Sequence, residues 1–186
     1  MIIRLANLAD AVAVAEIYGH HVLHSLGTFE ETPPSARDIA GRMDAVLAYG
    51  LPYLVAEDGG PEGPNQVIGF AYAAPFRPRA AYRYTVEDSV YVSPDAMGRG
   101  VGKTLVSRLI FDCEAMGLRQ MIAVIGDSAN AGSIGLHRAL GFTPLGVARG
   151  VGSKHGRWVD VVWMQRALNG GEATPPEGAG LMLGGG

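Results

Sequence analysis

The chain has 186 residues, of which 48% are apolar and 18% are charged, and its net charge is −3. This length suits one domain with a full hydrophobic core, and the charge gives no sign of a nucleic-acid partner or a membrane-surface partner. No apolar run approaches the roughly 18 residues of a membrane span, the N-terminus lacks a secretory pattern, and one cysteine cannot form an internal disulfide. We therefore expect a cytoplasmic protein.

The first part of the chain predicts a strand, two helices and a pair of strands. Ile2–Leu5 has the apolar pattern of a short strand. Capping pairs at Asn7 with Asp10 and at Ser35 with Asp38 predict the starts of two amphipathic helices. The segments PYLVAED and QVIGFAYAA predict two strands, and GGPEGPN between them predicts a turn.

The second part alternates strands with helices. TVEDSVYVS predicts a strand, Val101–Met116 a helix with Cys113 on its buried stripe, and Gly117 its end. QMIAVIG predicts a central strand, Ser133–Leu140 a helix, and the regions of LGVARG and RWVDVVWMQR two more strands. From Asn169 the chain is rich in glycine and proline, which is typical of a disordered tail.

These elements predict one α/β (α+β) domain over residues 1–168, followed by a flexible tail over residues 169–186. We expect a mixed central sheet with helices on both faces.

The loop MGRGVGKT, residues 97–104, is predicted to bind an anionic group. A nucleotide P-loop would need glycine at Met97, and a dinucleotide-binding motif would need glycine at Lys103, so each pattern fails by one residue. Glycines in the loop allow close backbone approach, and the helix that follows adds unpaired N–H groups and a positive dipole end. The candidate residues are Gly98, Arg99, Gly100, Val101, Gly102 and Lys103.

Two segments, VEDSVYVSPDAMGRGVGKTLV and AVIGDSANAGSIGLHRALGF, resemble the core of the GNAT superfamily of acetyl-CoA-dependent N-acetyltransferases. The family loop Gln/Arg-x-x-Gly-x-Gly/Ala is matched except at its first position, where Met97 stands. TFEETPP, YRYTVEDSVYVSP and KHGRWVDVVWMQ are similar to the phosphinothricin N-acetyltransferase subfamily, whose members acetylate small amino-acid-like molecules such as phosphinothricin and methionine sulfoximine or sulfone. The resemblance implies a GNAT-like, mostly antiparallel sheet, acetyl-CoA as co-substrate, a small-molecule amine as acceptor, and a homodimer.

The resemblance also implies two catalytic residues. Glu87, on the strand before the loop, corresponds to the family's general base, and its alternative is a solvated strand carboxylate. His137 corresponds to the residue that returns a proton to the coenzyme A thiolate, and its alternative is a structural histidine.

Further binding residues follow from the same resemblance. The strand backbone at Val90, Tyr91 and Val92 is expected to pair with the pantetheine arm and to polarise the thioester carbonyl. Asn130 and Ser133 are expected to touch that arm, to cap their helix, or both. Arg77 or Arg83 is expected to bind an acceptor carboxylate or phosphinate. The full candidate acceptor set is Phe29, Glu30, Arg77, Arg83, Tyr84, Lys154 and Trp158.

No metal is expected, because direct attack by an amine needs none, and His20, His21, His24 and His155 lack convincing ligand spacing. Cys113 is expected to be a buried apolar residue and not a nucleophile. Two alternatives stay open: acetylation of another amine (a polyamine, an antibiotic or a protein N-terminus), and a non-catalytic acyl-CoA-binding module.

Overall fold

A computed structural model of the protein describes residues 1–59 and 65–183, so the predicted turn GGPEGPN lies mostly outside the described residues. Within them the helices are α1 (Ala11–His24), α2 (Ala36–Ala48), α3 (Val101–Ala115) and α4 (Ala131–Ala139). The strands are β1 (Ile2–Leu5), β2 (Tyr53–Asp58), β3 (Gln66–Pro75), β4 (Thr85–Val92), β5 (Gln120–Gly126), β6 (Thr143–Lys154) and β7 (Arg157–Ala167).

The seven strands form one sheet in the order β1-β2-β3-β4-β5-β7-β6. Neighbouring strands run antiparallel except β4 and β5, whose parallel ladder covers Thr85–Asp88 opposite Gln120–Ala123. Beyond this ladder β4 continues beside β3 as far as Val92, and β5 continues beside β7 as far as Gly126. The two strands therefore separate toward their C-terminal ends and leave a β4–β5 gap.

Helices cover both faces of the sheet, which confirms the predicted fold class. Side chains alternate along β4: Tyr91 packs against Tyr18 of α1, with ring centroids 4.9 Å apart, whereas Val90 and Val92 lie beside Gly102 of α3. α1 packs with α2 on the first face, and α3 packs with α4 on the second. Buried apolar side chains on both faces exclude water from the sheet and supply most of the folding free energy.

The helix starts follow the predicted capping signals closely. Reciprocal capping boxes are present at Asn7 with Asp10 and at Ser35 with Asp38. The first box lies on a short 3-10 turn that leads into α1, and the second lies directly at the start of α2. α4 begins two residues earlier than predicted, because the Asn130 side chain accepts a first-turn N–H and caps it there.

The segment after Leu168 lies against the domain instead of apart from it. Arg119 donates hydrogen bonds to the carbonyls of Gly171 and Thr174, and Leu181 is buried in the main core. A buried apolar side chain and an arginine therefore hold this segment against the domain, and the boundary at residue 168 stays a prediction. The flexibility of the tail stays a prediction.

Candidate active site

A cavity of about 900 Å³ occupies the β4–β5 gap. Its wall comes from the C-terminal ends of β4 and β5, the glycine loop before α3, the first turn of α4 and the end of α1. His155 and Arg157, from the β6–β7 hairpin, also contribute to the wall. Because the N-termini of both α3 and α4 meet here, the cavity offers an extended anionic ligand several backbone N–H groups.

The glycine loop bends at Gly98 and Gly100, whose φ angles of +74° and +80° favour glycine. Gly102 is needed for a different reason, because a Cβ there would lie 2.8 Å from a methyl group of Leu136 on α4. Of the candidate anion-binding residues, the structure places these along the cavity: Gly98, Gly100, Val101, Gly102 and Lys103.

Arg99 is the exception among the loop residues. Its guanidinium forms an ion pair with Asp58 at the end of β2, beside a separate small cleft. The Arg99 side chain is therefore engaged outside the cavity in this arrangement, and only its backbone belongs to the loop.

Two backbone N–H groups of β4 point into the gap. The Ser93 N–H donates to a carbonyl of β3 at 2.9 Å, and N–H directions alternate along a strand. The N–H groups of Val90 and Val92 therefore point away from β3, whereas that of Tyr91 points toward it. In agreement with this direction, the Val92 carbonyl accepts a hydrogen bond from His21 Nε2 at 2.9 Å. Val90 and Val92 are thus the strand donors open to a ligand.

His137 on α4 is buried and has a hydrogen-bond partner at each ring nitrogen. Nδ1 lies 2.8 Å from the Ser133 carbonyl oxygen, and Nε2 lies 3.0 Å from Asp88 Oδ2 on β4. Burial lowers the pKa of His137, but the Asp88 carboxyl opposes this effect and leaves the pKa raised. Asn130 accepts the Ser133 N–H as a cap, while both residues also line the cavity, so the two predicted roles are compatible.

Glu87 projects from the opposite face of β4, one residue before the last β4–β5 pair, and it is not among the residues that line the cavity. Burial raises the pKa of Glu87, the positive charge of Arg77 opposes this shift, and the negative charge of Asp88 adds to it. A carboxylate with a raised pKa is better matched to proton transfer near neutral pH. Glu87 and His137 therefore lie on opposite faces of the sheet beside the same gap.

Arg77 is the candidate acceptor-binding residue that acts on Glu87. Its guanidinium lies over the ring of Phe76 at 4.3 Å and near that of Trp163 at 5.9 Å, and it donates to the Phe76 carbonyl at 2.9 Å. A guanidinium has five N–H donors in a fixed plane. This exposed side chain is therefore held by two rings while it keeps donors for a carboxylate.

Arg83 and Tyr84 lie before the N-terminal end of β4, whereas the gap lies at its C-terminal end. The Tyr84 hydroxyl donates to the Gly178 carbonyl at 2.6 Å, and the Arg83 carbonyl accepts the Leu181 N–H at 2.8 Å. The tail segment therefore engages the Tyr84 hydroxyl and the Arg83 backbone carbonyl, whereas a contact of the Arg83 guanidinium with an acceptor stays a prediction.

Lys154 is buried and Trp158 is exposed, and the role of Trp158 in binding an acceptor, across a dimer interface, stays a prediction. Lys154 is only 2% exposed, and its Nζ donates to the carbonyls of Ser25 at 3.0 Å and Thr28 at 2.8 Å. It fixes the α1–α2 connection instead of presenting its charge to an acceptor. Trp158 is 74% exposed at the β6–β7 hairpin, so its ring borders solvent.

Phe29 and Glu30 come from the same α1–α2 connection. The Phe29 ring packs on Gly152 of β6, where a Cβ would lie 1.9 Å from the ring. Glu30 accepts two hydrogen bonds from Arg42, at 2.7 and 3.0 Å, and one from the Tyr18 hydroxyl. Its charge is already paired, so Glu30 shapes this region more than it offers a free carboxylate.

With this geometry in hand, comparison with known proteins identifies the family. The sequence model of the Acetyltransferase (GNAT) family matches residues 20–142, which is more than half of the chain. The chain belongs to the GNAT acetyltransferase family. This confirms the resemblance found in the sequence.

Individual relatives of this GNAT acetyltransferase are similar over most of their length. A phosphinothricin N-acetyltransferase from Alcaligenes faecalis is 50% identical over 94% of this chain and 86% of its own. A methionine sulfoximine/methionine sulfone acetyltransferase from Salmonella typhimurium is 40% identical over 91% of this chain and 95% of its own. A crystal structure of a phosphinothricin acetyltransferase from Sinorhizobium meliloti with acetyl-CoA superimposes with a TM-score of 0.90, at 49% identity, over 96% of this chain and 94% of that one.

Other side chains of this acetyltransferase were considered from the sequence as metal ligands or nucleophiles. Over residues 1–59 and 65–183, no three or more histidine, cysteine or acidic residues are arranged to hold a metal ion, although the His20 and His24 rings lie 4.7 Å apart. Burial raises the pKa of the Cys113 thiol to about 12, which disfavours the nucleophilic thiolate.

In the same described residues, no helix is long and apolar enough to span a membrane.

Sequence reasoning missed three residues of this site. Asp88 and Trp163 appeared only within predicted strands, and His21 only as a histidine without ligand spacing. Alternation along β4 places Asp88 on the face opposite Glu87, but nothing local indicates that α4 brings His137 to it.

Proposed function

We propose that this GNAT acetyltransferase transfers the acetyl group of acetyl-CoA to the amine of a small amino-acid-like molecule of the phosphinothricin, methionine sulfoximine or methionine sulfone type. The observation that carries the proposal is the β4–β5 gap, with free strand donors inside it, Glu87 on one face and His137 on the other. The names of the relatives described above support the acceptor class.

In the proposed reaction, the coenzyme A pyrophosphate binds at the first turn of α3, where the N–H groups and helix dipole favour anions. The Val90 or Val92 N–H polarises the thioester carbonyl as negative charge develops on its oxygen. Glu87 takes a proton from the acceptor ammonium, directly or through water, and the free amine attacks the acetyl carbon. His137 returns a proton to the departing thiolate.

We assign recognition of the acceptor's carboxylate or phosphinate to Arg77. Its guanidinium is near enough to Glu87 to influence that carboxyl electrostatically, and aromatic stacking restricts its orientation. An arginine beside the base places the acid group of an α-amino acid next to its reacting amine.

The test is the release of free thiol from acetyl-CoA with a panel of amines: phosphinothricin, methionine sulfone, methionine sulfoximine, the common amino acids and spermidine. We expect turnover of the glutamate-like and methionine-like analogues. In Arg77→Gln, the KM for these acceptors should rise about ten- to hundredfold, since a hydrogen bond to a charged group contributes about 1.5–3 kcal/mol. Arg79→Gln, an exposed change on the same loop, is the matched control.

Several results would count against this function. Preferred turnover of spermidine would indicate a polyamine acceptor. Acetyl-CoA binding without thiol release for any amine would indicate an acyl-CoA-binding module. An equal loss in Arg77→Gln and Arg79→Gln would remove the role assigned to Arg77.

The expected homodimer and cytoplasmic location belong to this proposal. β6 is an edge strand of the sheet, and with the β6–β7 hairpin it exposes apolar side chains: Leu145, Val147, Val151 and Trp158. An exposed apolar edge strand favours association with a partner. Sedimentation of the purified protein should give twice the chain mass, and Trp158→Lys should shift it toward the monomer. A monomeric wild type would refute the dimer.

A further inference from the structure

The contact between His137 and Asp88 is buried, joins two distant elements of the chain and is packed against an aromatic ring. Both side chains are almost fully buried, with exposed fractions of 3% and 1%. They come from elements far apart in the chain, β4 and α4, and both border the cavity. The Phe142 ring packs edge-on against the imidazole, with centroids 4.9 Å apart, and limits its movement.

The partners of the imidazole determine how many protons the pair holds. The Ser133 carbonyl can only accept a hydrogen bond, so Nδ1 carries a hydrogen and donates to it at 2.8 Å. Nε2 then faces Asp88 Oδ2 at 3.0 Å, and this contact requires one further proton between the two atoms. The pair thus holds one proton more than a neutral imidazole beside a carboxylate.

Asp88 has one oxygen left over. Its Oδ1 is buried and has no hydrogen-bond partner among the described residues. A buried polar atom without a partner is unfavourable, and Asp88 lies on the cavity wall. The hydrogen bonding of the carboxylate therefore rests on Oδ2, which faces His137.

We propose that Asp88 is a positioning residue that keeps His137 protonated beside the cavity, so that the departing thiolate receives its proton from a charged histidine held ready by a buried carboxylate. This inference rests on the proposed function. It gives Asp88 the role of keeping His137 protonated, which the sequence did not predict for any residue.

The proposed step balances as follows. The amine nitrogen bonds to the acetyl carbon, the carbon–sulfur bond breaks, and its electron pair stays on sulfur. The Nε2 proton moves to sulfur and leaves neutral His137 beside the Asp88 carboxylate. Glu87 receives a proton from the amine on the other face of β4. Exchange with water then returns one proton to His137 and removes one from Glu87.

Few other titratable groups act on this pair. Glu87 on β4 and Cys113 on α3 each interact electrostatically with Asp88, and Ser133 and Phe142 complete the surroundings without titrating near neutral pH. Of these, only Glu87 shares the relevant pH range, and its protonation affects the acid side of the pH profile. His21, His24, Lys103 and His155 also line the cavity, so the alkaline limb is assigned to His137 by whether Asp88→Asn moves it.

The test compares Asp88→Asn with wild type. Asparagine keeps the shape and can donate to Nε2 of a neutral imidazole, but it removes the charge that holds the extra proton. We expect kcat to fall about 10²-fold, the lower end of general acid–base contributions, with little change in the KM for acetyl-CoA. The alkaline limb of the kcat profile should move to lower pH, because burial then lowers the pKa of His137 without the opposing Asp88 carboxylate.

Asp112→Asn is the matched control, because it removes the same charge from the outer side of α3, where Asp112 pairs with Arg108. It should leave kcat and the alkaline limb unchanged. If Asp88→Asn keeps wild-type kcat and the wild-type alkaline limb, while wild type acetylates the panel, the role of Asp88 is refuted and the proposed function stands. A wild type that acetylates no amine removes both.

A measurement on wild type covers the case in which Asp88→Asn does not fold. ¹⁵N NMR of His137, assigned from its absence in His137→Gln, distinguishes imidazolium from neutral imidazole. An imidazolium that persists above the ordinary histidine pKa supports the proposal. A neutral imidazole at neutral pH overturns it.

Discussion

Replacing Lys154 with methionine should destabilise the domain and loosen one wall of the site. Methionine has similar length, but it lacks the two hydrogen bonds that Nζ donates to the Ser25 and Thr28 carbonyls. A hydrogen bond from a charged group contributes about 1.5–3 kcal/mol, and removal of the buried charge recovers part of its desolvation cost. We expect a net loss of about 3 kcal/mol in the free energy of unfolding.

This loss should appear in thermal unfolding. For a domain of this size, 1 kcal/mol corresponds to about 2–4 °C in Tm, so the midpoint should fall by roughly 6–12 °C. The KM values should rise as well, because Leu26 lines the cavity and its carbonyl packs so closely on Gly126 that a Cβ there would lie 2.3 Å away.

The control is Arg149→Met, a long cation on the same strand whose side chain is 83% exposed. It should stay within about 0.5 kcal/mol of wild type. If Lys154→Met also stays within that range, the argument that Lys154 holds the α1–α2 connection fails.

Three further changes test the site and the tail. Glu87→Gln should lower kcat about 10²–10⁴-fold and abolish the acid limb of the pH profile. In wild type that limb should lie above the ordinary glutamate pKa, because burial raises the pKa of Glu87. An unchanged limb in Glu87→Gln would argue against Glu87 as the base. Gly102→Ala should raise the KM for acetyl-CoA, because its Cβ would meet a leucine methyl group of α4 at 2.8 Å. The control Gly135→Ala has open space around its Cβ and should stabilise the domain by up to about 1 kcal/mol. Equal effects of the two substitutions in binding and melting assays would contradict this prediction. Leu181→Ala should lower the free energy of unfolding by about 2–5 kcal/mol in denaturant titrations, because Leu181 is only 7% exposed. Met182→Ala, at a side chain that is 88% exposed, is the control and should have no effect. An unchanged unfolding free energy in Leu181→Ala would show that the tail contributes little stability.

Local features of the sequence determined much of this protein. The capping pairs, the apolar stripe of α3 and the positive-φ glycines act within a few residues, so they could be recognised without any knowledge of the fold. The glycine loop and the family motif around it likewise occupy one continuous stretch, and they led to the cavity and to its acetyl-CoA ligand class.

Only the tertiary structure decided which charged and polar side chains are free to act. Arg99 is paired with Asp58, Lys154 is buried against two carbonyls, and Tyr84 is engaged by the tail, although each had the chemistry expected of a binding residue. The partner of a side chain depends on long-range packing that local pattern does not encode.

The same distinction applies to the chemistry of the gap. The sequence by itself pointed to Glu87 and His137 as a base and an acid. The separation of β4 from β5 and the direction of the Val90 N–H are set by strand pairing in the sheet, and the contact of His137 with Asp88 forms only when α4 packs on that sheet. Residues 49 positions apart come to share a proton because burial removes water as the competing partner.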